Sequence, residues 1–463
     1  MQGGAVKCVR DLTVGEGAEE HVPGRDLAGQ LSTLLASLPA LTSIDVLVLR
    51  TDPRTGATAA AHQAFLAGAA RAIARCSSLQ QLHLHVCLHA RLAGQLPLAL
   101  VRELASVRTL EEVTLTFAAD FEADEADRLD WPATFSLADL VAGLAGLPRL
   151  RALVLAAESV GMDATLPASV SRLAQLTSLS LSGFHGLRCE PGWARLPALA
   201  RLEFHECVFA CDGEAALPGM DALVALTSFN VCTCPSLRVL PASLWGLTQL
   251  QDLAHWGGGR GLALAPRDAL PVSCVPAGGA PCFASLTHLN LAGQNLQAFP
   301  PGILAAVRLA HLDLGHCCFE QLPEGVSVLT GLQELHLGRQ SFGEMEIGGC
   351  LDARALGSLS TFSSLRALSF GHCSVLFSAD FQAAAAHPRL KRLLLIASYA
   401  ECGPSCAAFL CFVYALLQRG RPSVLELIRS VVEGARRLES RGFRFSLKAV
   451  GYPLSDADSR DLV

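Results

Sequence analysis

Lysine is all but missing from this sequence. Three occur among 463 residues, at positions 7, 391 and 448, and charged residues of every kind make up only 17% of the chain. Without a dense basic face there is no means of neutralising a row of phosphates, so nucleic-acid binding is not expected. The lysines follow Val6, Leu390 and Leu447, never a glycine, which removes a Walker-type phosphate loop. H-E-x-x-H, G-x-S-x-G and C-x-x-C are absent, and the acidic run at Asp120, Glu122, Asp124, Glu125 and Asp127 lacks the D-x-D-x-D-G order of a calcium loop. The opening MQGGAVKCVRDLTV lacks the basic-then-apolar layout of a secretory leader. These absences give an expectation of a cytoplasmic protein with no catalytic residues, no cofactor and no metal.

What is present is leucine at regular intervals. Apolar residues are 51% of the chain, and between Leu286 and Gln340 the units LTHLNLAGQNL, LAHLDLGHCCF and LQELHLGRQSF start at Leu286, Leu309 and Leu332, 23 residues apart. Each reads L-x-x-L-x-L-x-x-(N/C/Q)-x-(L/F), and Phe299-Pro300 and Leu322-Pro323 stand between them. This pattern resembles the leucine-rich repeat superfamily. The resemblance implies an α/β solenoid: a curved horseshoe with a parallel β-sheet on its concave face and helices and irregular loops on its convex face. One unit cannot bury its own leucines, so neighbours stack into a continuous core.

Taken in order, Val9, Leu12 and Val14 match the first anchors, so an array of about 14 units is expected over residues 1–400, its first strand leaving an edge that a partner could cover. Helices are expected from Asp26 to Leu38 and from about Ala60 to Arg75, and Ile44-x-x-Leu47-x-Leu49 reads as the second unit. These early units, spaced 35, 35 and 31 residues, resemble ribonuclease-inhibitor-like and F-box-associated arrays. Insertions are expected at 119–131 (acidic), 256–283 (Gly- and Pro-rich) and 343–358. From Ser228 to Leu250 the sequence resembles plant disease-resistance receptors and Ras-pathway scaffolds. Residues 401–463 are expected to form a helical cap and tail, and the uncharged run 402–418 is short for a membrane span.

In such a repeat, positions one, four and six point inward and positions three, five, seven and eight face solvent. The same position in successive units therefore forms a column, and reading columns reads the binding face. A polar, histidine-rich patch results: His288, Asn290, His311, Asp313, His316, Glu334, His336, Arg339, Ser369 and His372, centred on Asp313. A protein partner is expected there. The trio His311, Asp313 and His336 has the residue types of a metal site, but a flat sheet converges ligands poorly and no fourth ligand is evident. Two smaller patches are Gln81, His83 and His85, and Arg201, Glu203, His205 and Glu206. Cys87, Cys207, Cys234, Cys317 and Cys373 fall at position nine, where the family has asparagine, and are read as structural thiols bonding nearby backbone. The implied function is an interaction scaffold or recognition receptor in signalling or defence. Alternatives are a ubiquitin-ligase substrate receptor and a component of the cilium axoneme or cytoskeleton.

Overall fold

In a computed structural model, residues 8–15, 27–50, 59–88, 98–119, 136–158, 164–256, 281–294, 296, 299–315, 324–338, 362–371 and 392–396 are described. The chain forms two compact units, Met1–Gln249 and Leu250–Val463. The first contains β1 (Cys8–Gly15), α1 (Leu27–Ala36), β2 (Ser43–Arg50), α2 (Ala59–Ala74), β3 (Gln81–Leu88), α3 (Leu98–Leu104), β4 (Glu112–Ala119), α4 (Leu137–Leu144) and β5 (Ala152–Glu158). It continues with β6 (Thr165–Leu166), β7 (Ser178–Ser182), β8 (His185–Cys189), β9 (Arg201–His205), β10 (Val208–Phe209) and β11 (Ser228–Cys232). The second contains β12 (Asp252–Trp256), β13 (His288–Asn290), β14 (His311–Asp313), β15 (Glu334–Gly338), β16 (Ala367–Gly371) and β17 (Arg392–Ile396).

Within the first unit β1, β2, β3, β4, β5, β7, β9 and β11 pair in that order, all parallel. Within the second, β12 to β17 pair in sequence order, also parallel. Parallel neighbours need a crossover each time, and one crossover per repeat on the same side of the sheet is the leucine-rich repeat solenoid. Anchors at positions one, four and six are buried without exception in the repeats starting at Leu176, Leu199 and Leu226: Leu176, Leu179, Leu181, Leu199, Leu202, Phe204, Leu226, Phe229 and Val231. One backbone motif recurs at the described repeat boundaries inside each unit. The position-two carbonyl accepts the N–H groups of positions two and three of the next repeat, as Thr42 does from Gln80 and Gln81, and Gln251 from Thr287 and His288.

The crossovers change character along the first unit. Four helices stack beside the early strands. In α4, Ser136 caps the N-terminus by accepting from Asp139 N–H at 3.0 Å, and Leu137, Leu140, Val141 and Leu144 form the buried face. Gly143 lies where a Cβ would come 2.4 Å from Val101 Cγ1, so α3 and α4 can only meet this closely without a side chain there. After β5 the repeats shorten and the helices give way to 3₁₀ turns opened by proline, at Ala168–Arg172 after Pro167 and Ala242–Gly246 after Pro241. Beside them β6, β8 and β10 pair into a small second parallel sheet. Acidic side chains tie these turns together: Glu190 accepts from Ala168 N–H at 2.9 Å, and Glu214 from Ser243 N–H at 3.1 Å and its hydroxyl at 2.8 Å.

The second repeat departs from the sequence reading. Ile44 pairs with Leu82, a position-four residue, and the register then shifts so that Leu47 and Leu49 pair with Leu84 and Val86. Position one is therefore Leu41, fully buried, and a bulge of one residue separates Ile44 from Leu47. Since Val9 pairs with Ile44, it too occupies position four rather than one. The misreading has a simple cause: Ile44, Leu47 and Leu49 are all buried at the spacing of the motif. The acidic run beyond Ala119, the segments 257–280 and 343–358, and residues 401–463 lie outside the described residues.

Candidate functional site

The open face of the second unit is built by β12 to β15. Positions three place Asp252, His288, His311 and Glu334 side by side, and positions five place Ala254, Asn290, Asp313 and His336 in the next column. The columns expected from sequence are thus in register. Ser369 pairs with His336 through its backbone, while His316, Arg339 and His372 lie outside the described residues.

Two of these strands are only three residues long because of their position-five residues. Asn290 Oδ1 accepts from Ala292 N–H at 2.9 Å, and Asp313 Oδ1 accepts from Gly315 N–H at the same distance. Asx side chains offer the backbone this alternative to the sheet ladder. In β15 position five is His336, which has no such acceptor geometry, and the strand runs on to Gly338.

This local bond moves the centre of the patch. Asp313 stands at the middle of the patch by position, and the carboxylate that the histidines approach is Glu334. Its Oε2 lies 3.2 Å from His311 Nδ1 and 3.9 Å from His336 Nε2. The His311 ring also stacks on His288, with centroids 4.2 Å apart and planes 7° apart, and Thr287 Oγ1 is 2.9 Å from His288 Nδ1. Burial holds the His288 pKa below its ordinary value, and His311 beside it pushes the same way; Asp252 and Glu334 oppose them. Among the described residues no group of three His, Cys, Asp or Glu is arranged to hold a metal.

The smaller patches lie on the first unit. Gln81 Nε2 donates to Glu112 Oε2 at 3.1 Å, beside exposed His83 and half-buried His85. Glu203 Oε2 is 3.3 Å from His205 Nε2, and that hydrogen bond, opposed by partial burial, lowers the carboxyl pKa.

Position nine behaves in two ways. Cys207 Sγ reaches Leu181 O and His205 O, each at 3.4 Å, and Cys234 Sγ reaches Cys232 O at 3.3 Å and Phe204 O at 3.6 Å. The two thiols also bond each other, which lowers the Cys207 pKa and raises that of Cys234. Cys87 is different and corrects the sequence reading: its backbone lies inside β3, paired with Arg50 and Ala118, not in a turn after the strand. Cys317 and Cys373 lie outside the described residues.

The repeat that starts at Leu250 holds two residues outside the sequence pattern, and its neighbour buries the glutamine that the pattern places at position nine. His255 occupies position six, a leucine site, and is buried. Gln294 at position nine is buried as well, donating from Nε2 to the His255 carbonyl at 2.7 Å. Trp256 at position seven is 39% exposed. By position, His255 and Trp256 follow from Leu250, and Gln294 from Leu286.

No family model matches the chain, and no curated protein matches it. Solved structures similar to it include a leucine-rich repeat protein of Leptospira interrogans, at 15% identity and a TM-score of 0.37, covering 77% of this chain and 90% of that one. An internalin from Listeria monocytogenes has 15% identity and a TM-score of 0.38, covering 82% of this chain and 96% of that one. RP105 in the mouse RP105/MD-1 complex has 17% identity and a TM-score of 0.43, covering 88% of this chain and 62% of that one.

Proposed function

We propose that this leucine-rich repeat chain is a non-enzymatic recognition scaffold that holds a protein partner against the open face of β12 to β15, in an intracellular signalling or defence setting. The observation that carries this reading is the register. His288, His311 and Glu334 stand side by side in one column and Asn290, Asp313 and His336 in the next, so ionisable side chains from three repeats form one surface. A solenoid can spread a few strongly contributing contacts over several repeats in this way. The cysteines whose side chains are described, among them Cys76, Cys189, Cys207, Cys234 and Cys282, are free thiols, in keeping with a reducing compartment. No helix among the described residues is long and apolar enough to cross a membrane.

Copurification from native cells tests the reading, using the intact chain and the triple variant His311→Ala, Glu334→Ala, His336→Ala. Asp313 is left in place because it terminates β14. A partner bound in stoichiometric amount by the intact chain and lost from a variant with an unchanged circular dichroism spectrum is the expected result. Equal retention by both chains would remove the open face of the second unit as the recognition surface.

A further inference from the structure

Trp256 ends β12 on the open face with 39% of its surface exposed, and it is the largest of the exposed apolar side chains among the described residues. In the following repeats the same seventh position is held by Ala292, Gly315 and Gly338. Beyond the indole, therefore, the face has a floor of residues with one side-chain carbon or none. Beside that floor run the fifth-position residues Asn290, Asp313 and His336, and beyond them Asp252, His288, His311 and Glu334. Over these four strands positions three, five and seven carry three carboxylates, Asp252, Asp313 and Glu334, and neither lysine nor arginine. In the position-three column the next cation, Arg392, stands two strands past Glu334, and Arg339, at position eight of the repeat that starts at Leu332, lies outside the described residues.

Resting on the recognition reading above, we propose that this face takes an extended cationic segment of its protein partner, with an arginine or lysine of that segment laid on the Trp256 indole. A floor without bulky side chains lets a second backbone approach the sheet closely. An exposed indole attracts a cation through the negative face of its ring. The carboxylate columns match the sign of such a segment and oppose polyanions, which selects against nucleic acid and acidic membrane surfaces. Aromatic anchors of this kind, beside charges of one sign, are where binding energy concentrates.

Fluorescence anisotropy of the full chain with three labelled dodecapeptides, alternating Arg-Gly, Ser-Gly and Glu-Gly, tests the inference directly. The arginine peptide should bind alone and weaken as salt rises. Trp256→Ala should loosen it by about five- to thirtyfold, Trp256→Phe less, and the pair Asp252→Asn with Glu334→Gln should also loosen it. Binding should weaken as pH falls below the ordinary histidine range, because protonating His288, whose pKa burial lowers, places positive charge beside Asp252 and Glu334. Equal binding of the serine peptide, absence of arginine-peptide binding, or an affinity unchanged by Trp256→Ala overturns the proposal. If copurification still finds a partner that the triple variant loses, only the cationic assignment fails and the recognition reading stands.

Discussion

The repeats from Leu41 to Leu150 and those from Leu176 to Leu286 share anchors but end their strands differently. In the early group the strands are seven or eight residues long and position eight remains extended, pointing Leu49, Val86, Phe117 and Ala157 into the core with at most 1% exposure. In the later group the strands are five residues or three. Position eight turns left-handed instead, with φ of +73° at Gly183, +52° at Glu206, +51° at Thr233 and +77° at Gly293. That turn carries position nine inward, where Phe184, Cys207, Cys234 and Gln294 are buried. One dihedral angle decides whether the eighth or ninth residue fills the same end of the core. Cys207 and Cys234 bond backbone from position nine after such a turn, while the backbone of Cys87 lies within a strand.

The sharpest test of that equivalence is to empty the same end of the core in each group. Phe117→Ala and Phe184→Ala should each destabilise by about 3–5 kcal/mol in urea or guanidinium unfolding, since each removes a fully buried ring. A cost for one under half that of the other would mean the eighth and ninth positions are not interchangeable. Next in size is Gly183→Ala. Its φ of +73° disfavours a side chain, and the new Cβ would stand 2.4 Å from the Ala157 carbonyl oxygen, so a loss of about 2–4 kcal/mol is expected. The reverse exchange at the extended equivalent, Ala157→Gly, should cost no more than about 1 kcal/mol. Smaller and of opposite sign, Thr233→Gly should gain up to about 1 kcal/mol by relieving a left-handed β-branched residue. A loss on thermal unfolding would show that the threonine side chain outweighs the strain.

The smallest expected effect concerns acid. Glu214 loses some hydration, which would raise its pKa, but the backbone and hydroxyl of Ser243 and the N–H of Gly219 outweigh this and hold it below its ordinary value. A carboxyl depressed in the folded state contributes stability above its unfolded-state pKa and loses it as pH falls through the folded-state pKa. Glu214→Gln should therefore flatten the acid limb of stability against pH, read by circular dichroism. An unchanged limb would separate the carboxylate from the stacking of the later turns.

The anchors were the most legible feature of the chain, because a leucine buried in every repeat leaves a period that survives insertion and shortening. Columns followed from anchors, so His288, His311 and Glu334 could be placed side by side from sequence alone. Two things could not. A one-residue bulge after Ile44 leaves the pattern of buried residues looking like an intact motif one step out of phase, and only pairing with β3 reveals it. The electrostatic centre of the patch depended on a local competition. Asp313 is a residue type that bonds backbone two residues on, and this passed the central place to Glu334 in the next repeat.

Inside each unit, the paired N–H groups that a position-two carbonyl receives from the following repeat make the described boundaries alike while the length of chain behind them varies. Stretched between its ends by an optical trap, such an array should yield by peeling, one repeat released whenever one boundary gives way. Step length would then report the chain stored in each repeat, roughly 80 Å for the 23 residues from Leu309 to Leu332 and roughly 140 Å for the 40 from Leu110 to Leu150. The extension trace of a single molecule would thus spell out the order of long and short repeats, with similar forces and unequal steps.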